Sequence, residues 1–190
     1  MCLYALPAVR PKPCCTNKAW QHSGFRATWD KIYATGTGGF YSTTPEAFMK
    51  MILDWCMSLD QHHRLEEEHV FPKLAVKMRT FRKADVDGTQ RSGEVIDEET
   101  AATEPTDPGY VHKQHRQIHA GLDILHAYVK TWLAEEKREV DWEEIRGLMD
   151  SFGPILWKHM DEEVETLGAA NMRLYWDLGE MRELPFKVKD

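Results

Sequence analysis

The sequence predicts an all-α protein: an up-down four-helix bundle with extra N- and C-terminal segments. Four stretches repeat their apolar residues every three or four positions, and strand-like alternation is nowhere sustained. Most connections between them are short, so neighbouring helices can pack side by side. With 190 residues, 42% of them hydrophobic, the chain can bury one core of useful size. We divide it into a tail over 1–15, a bundle over 16–170 and an extension over 171–190.

The first helix is expected from about Thr16 to Ala34, where His22, Phe25, Trp29, Ile32 and Tyr33 share a face. The glycines of "TGTGGFYSTT" then break it. The second opens at "TTPEAF", with a Thr cap, Pro45 in the first turn and Glu46 three residues after Thr43. It is expected to reach about Thr80, with Pro72 kinking or tightening its last turns. Its inward stripe is Phe48, Ile52, Trp55, Leu59, Glu66 and Val70. Residues 85–108 hold eight acidic side chains and one Arg, and they read as a mobile solvated loop.

The third helix spans about Gly109 to Lys137. The fourth starts at "DWEE", capped by Asp141 with Glu144 completing the box, and ends near Gly168. Gly153-Pro154 is expected to bend it just ahead of His159. The last 20 residues carry enough aromatics to pack back on the body, at a place the sequence does not fix.

A net charge of −7 without a basic cluster argues against nucleic acid or an anionic membrane as partner. No run of 18 apolar residues is present, and the start does not read as a signal peptide. Cys2, Cys14, Cys15 and Cys56 do not form a secreted disulfide framework. A reducing, cytoplasmic (intracellular) setting is the expectation.

The histidines carry the functional information. Residues four apart on a helix lie on one face, with Cβ atoms about 6 Å apart, so a pair can reach one ion. His62 and Glu66, His115 and His119, and His159 and Glu163 are such pairs, one per helix, and the first helix adds His22. One His-x3-Glu pair alone is usually a surface ion pair. Three pairs and a single, all on faces that also hold Ile, Leu and Trp, are different. Burying them without a metal costs on the order of several kcal/mol per unpaired charge. Glu66 sits on the stripe five turns after Phe48, whereas Glu67 lies further round and Glu68 points outward. Periodicity alone does not choose between His62 and His63; the match to Glu66 favours His62.

The set "HHRLEEEHVFP…HRQIH…HMDEE", preceded by His22, resembles the hemerythrin-like, or HHE cation-binding, family over residues 20–170. The resemblance implies a non-haem di-iron site with His22, His62, Glu66, His115, His119, His159 and Glu163 as ligands. It places His115, His119 and His159 on one iron and His22 and His62 on the other, with Glu66 and Glu163 bridging. With an oxo or hydroxo bridge, one position stays open on the iron holding two histidines. O2 or another small diatomic such as NO fits it.

The oxygen-carrying hemerythrins use His-x4-Asp on the fourth helix, where this chain has His-x3-Glu. Redox chemistry with O2, NO or peroxide is therefore expected ahead of reversible carriage. The alternative is an O2, NO or iron-binding sensor or carrier without turnover. A small organic substrate would need a channel lined by some of Phe25, Trp29, Phe40 and Tyr41. His69, His112 and His126 are candidates for holding ligand carboxylates from outside. Trp29, Trp55, Leu59, Leu122 and Leu156 are candidates for walling the open position.

Overall fold

The structure, a computed structural model, describes residues 16–35, 44–83, 107–135 and 139–184, and in the first helix its side chains from His22 onward. The tail over 1–15 with its three cysteines, nearly all of the acidic loop, and Thr43, Phe40 and Tyr41 lie outside the described residues. Among those described, every regular element is helical. No described helix is long and apolar enough to cross a membrane.

Helix α1 spans Thr16–Thr35 and α2 spans Pro45–Leu65. The cap of α2 is Thr44, whose Oγ1 accepts from the Ala47 N–H at 3.2 Å. The second helix does not run unbroken to Thr80. It widens into a π-helical turn at Glu66–Val70, continues as the short α3 at Phe71–Leu74, and ends in a 3-10 turn at Arg79–Phe81. Pro72 supplies the cause. It has no N–H for the carbonyl of Glu68 and its ring crowds that carbonyl. The ladder shifts by one residue, and the Phe71 N–H instead reaches the Glu66 carbonyl.

Helix α4 spans Tyr110–Ala134 and follows Gly109, whose φ of 86° requires glycine. The Gly109 N–H donates to the Arg82 carbonyl at 2.7 Å, tying the start of α4 to the 3-10 turn. Helix α5 spans Trp142–Thr166, with Asp141 accepting from the Glu144 N–H at 2.9 Å. It continues as helix through Gly153-Pro154. Gly153 serves packing: a Cβ there would lie 2.9 Å from the Trp29 ring of α1. Gly121 of α4 likewise admits Phe152, whose Cβ lies 2.5 Å from where a Gly121 Cβ would sit. Two short helices complete the chain, α6 at Ala169–Tyr175 and α7 at Leu178–Glu183, the latter closed by an Asp177/Glu180 capping box.

Two apolar clusters form. The larger joins α1, α2, α4 and α5 through Trp29, Phe48, Trp55, Leu125, Phe152 and others. The smaller gathers Phe71, Met78, Phe81, Val111, Leu167 and Met172, so the C-terminal extension packs against α3, the 3-10 turn and the start of α4. The order along each helix is informative. The large-cluster residues of α2 and α5 precede the small-cluster residues that follow those helices, Val70–Phe71 and Leu167, whereas α4 meets Val111 first and Ile118 onward later. Between the clusters lies a layer of imidazoles and carboxylates.

Candidate metal centre

That layer draws on α1, α2 with its π turn, α4 and α5. His22, His63, Glu66, His115, His159 and Glu163 are all buried, and the His62 side chain is only 10% exposed. Their donor atoms form two groups, His63–Glu66–His115–His159 and His22–His62–Glu66–Glu163, each with its atoms within 4.8 Å of one another. Glu66 belongs to both.

The contacts have the lengths that shared ligation requires. His62 Nε2 lies 3.0 Å from Glu66 Oε1, and His115 Nε2 lies 3.5 Å from Glu66 Oε2. His22 Nε2 lies 3.1 Å from Glu163 Oε2. His115 Nε2 and His159 Nε2 face each other at 3.2 Å. Two donors about 2.1 Å from one ion stand about 3.0 Å apart at a right angle and about 3.4 Å apart at a tetrahedral angle. Imidazole and carboxylate donors without thiolate suit iron, zinc, copper or manganese.

The electrostatics agree. Burial, then the facing His115, lowers the His159 pKa to about 3. Burial, then the imidazoles of His115, His159, His62 and His119, holds His63 well below the usual imidazole range. Rings kept neutral keep lone pairs for a cation. Both His63 nitrogens are buried without a hydrogen-bond partner, as is His22 Nδ1. A buried polar atom left so costs about 1–3 kcal/mol, which a bound cation would remove.

Not every expected ligand joins. His119 lies outside both groups, its side chain 24% exposed and its Nδ1 3.3 Å from Asp60 Oδ1. Its place is taken by His63, which stacks on His115 at 4.2 Å and 22° and meets His159 edge-on at 5.4 Å. The expected sharing also changes. Glu66 is in both groups, while Glu163 is grouped with His22, His62 and Glu66.

A set of side chains braces the layer from outside. His115 Nδ1 donates to Glu67 Oε1 at 2.9 Å, and this bond holds the Glu67 pKa below the usual carboxylate value. His159 Nδ1 donates to Gln114 Oε1 at 3.3 Å. Gln114 Nε2 in turn donates to Glu162 Oε2 at 2.7 Å, and Glu162 also accepts the Tyr110 hydroxyl at 3.0 Å. Each bond puts the ring proton on Nδ1 and leaves Nε2 bare towards the centre. His69 is exposed and His126 half-buried; His112 is buried against Phe71 at 5.5 Å.

No family model and no solved structure matches this chain. It is similar to a protein named dimeric xanthone biosynthesis cluster protein R11, from Cryptosporiopsis sp. (strain 8999). The identity is 26% over 111 residues, which are 58% of this chain and 32% of that protein. The match thus spans about a third of the relative's length.

Four residues of the site carry weak signals in sequence. His63 stands three residues before Glu66, a spacing that also shares a helix face. Gln114, Glu67 and Glu162 each adjoin a ligand, and adjacency says nothing about direction.

Proposed function

We propose that this chain is a hemerythrin-like up-down four-helix bundle that holds two iron ions and performs redox chemistry with O2 or a related small molecule such as NO or peroxide. The observation that carries this reading is Glu66, with one oxygen beside His62 and the other towards His115, as a carboxylate shared by two ions would be. The reversed order of apolar clusters along α4, relative to α2 and α5, supports the up-down arrangement. Bound there, an iron pair would supply one-electron redox chemistry and binding of a diatomic ligand.

The chain's own residues do the rest. His63, His115 and His159 with Glu66 make one binding set, and His22 and His62 with Glu66 and Glu163 the other. Glu67 and Gln114 keep His115 and His159 in the tautomer that presents Nε2. Trp29, Trp55, Leu59, Leu122 and Leu156 seal the large-cluster side of the layer against water. The His-x3-Glu spacing of α5 favours turnover over reversible carriage. The relative's name, which ties it to a biosynthesis cluster, supports work on a small organic molecule.

The test is metal content and optical spectrum of protein made in iron-replete medium, followed by mixing of the reduced protein with O2. Two irons per chain and irreversible oxidation are expected. Fully folded protein that binds no metal overturns the proposal. Quantitative, reversible O2 release would replace turnover by carriage.

A further inference from the structure

A cleft of about 830 Å³ runs between α1 and α2, and one end of it is walled by His62. Its volume falls within the range of small-molecule sites, about 300–1,000 Å³. Phe25, Trp55, Met51 and Leu65 give it an apolar lining. Phe25 lies 5.3 Å from the His62 ring and crosses Trp55 edge-on at 6.5 Å, so an aromatic corner abuts the polar layer.

Gly24 also lines the cleft. It lies inside α1, where glycine costs about 0.5–1 kcal/mol relative to alanine. Gly121 and Gly153 admit neighbouring side chains, whereas a Cβ on Gly24 or on Gly147 of α5 would meet nothing within 4 Å; of these two, Gly24 lines the cleft. Packing does not explain this glycine. Its effect is to leave the cleft unfilled, two residues from His22.

We infer that the α1–α2 cleft is a binding site for a neutral, hydroxylated aromatic molecule, seated with one edge against His62. This rests on the redox reading above and names the substrate class of the same centre. The ring faces have the half-buried Phe25 and Met51 to pack on. Thr28, Ser58 and Gln61 offer hydrogen bonds to hydroxyl groups. Lys50 and Asp54 both line the cleft, so its charge is balanced and an ionic ligand gains nothing. Together with the polar layer, the cleft would let one face of a phenol-like ring approach the His22–His62–Glu66–Glu163 set.

Calorimetric titration of the iron-loaded protein with 1-naphthol, and separately with 1-naphthoate and cyclohexanol, tests the inference. One 1-naphthol per chain is expected to bind with Kd at or below about 1 mM, ahead of the other two. Gly24→Leu should weaken it by about tenfold or more, and Gly24→Ala by less, with iron content and melting point of both variants no lower than wild type. Equal 1-naphthol binding by wild type and Gly24→Leu overturns the cleft, as does no binding by wild type. Preference for 1-naphthoate overturns the neutral class. Two irons without 1-naphthol binding sink the cleft alone; Gly24-dependent binding in a metal-free protein sinks the redox reading alone.

Discussion

His63 and His119 both approach the His115 ring, at 4.2 and 6.3 Å, but their surroundings differ. His63 is fully buried with two unpartnered nitrogens, and His119 is half-buried beside Asp60. His63→Ala should therefore lower bound metal from about two ions per chain towards about one, while His119→Ala keeps both; elemental analysis of the purified variants decides. Gln114→Leu removes the acceptor that holds His159 Nδ1. Loss of such an outer partner typically costs about 10–100-fold in metal affinity, measurable by competition with a chromogenic chelator. At this scale the sequence was legible wherever helical spacing alone selects a residue. The helix faces that carry His22, Glu66, His115, His159 and Glu163 meet in one layer. The sequence was illegible where two adjacent residues both border a wide layer, as His62 and His63 do, because their 100° separation leaves both within reach. His119 satisfied the spacing rule, yet its ring sits at the margin with Asp60.

Gly24 and Gly121 make opposite demands on the helices that carry them. Gly121→Ala would bring a methyl to 2.5 Å from the Phe152 Cβ, an atom fixed to the α5 backbone, so α4 and α5 must separate. Overpacking of this kind costs about 1–3 kcal/mol. Gly24→Ala meets open space and should gain about 0.5–1 kcal/mol. Thermal melts are expected to move in opposite directions, by about 2–4 °C per kcal/mol for a chain of this size. A fall for both would show that α1 is not helical at Gly24. Helix existence and the Asp141 cap were readable from periodicity and cap chemistry, since both are local. Pro72 was visibly a disruption, but whether it kinks, breaks or widens a helix depends on what packs around it. Here Phe71 and Glu66 are both buried, and the π turn keeps both inward.

At the scale of the molecule, the imidazole and carboxylate layer separates two apolar clusters that have no side chain in common among the described residues. The larger one spans four long helices and can hold together by itself. The smaller relies on a four-residue helix, a 3-10 turn and the short α6 and α7, bound by hydrogen bonds from Gly109 N–H to the Arg82 carbonyl and from Arg82 Nε to the Ala75 carbonyl and by an ion pair of Lys77 with Glu180 at 2.7 Å. An exposed pair of that kind contributes at most about 1 kcal/mol. Ions held by Glu66, His115, His159 and Glu163 would therefore couple the clusters, because Glu66 lies between Leu59 and Val70, His115 between Val111 and Ile118, and His159 and Glu163 between Leu156 and Leu167. A ligand at 1,000 times its Kd stabilises the folded state by about 4 kcal/mol. Chelation should lower the melting point and split one transition into two. Amide exchange should accelerate first in residues 70–81 and 167–184, while 48–59 and 118–132 stay protected. Uniform acceleration across all four segments would show that the clusters cohere without the ions.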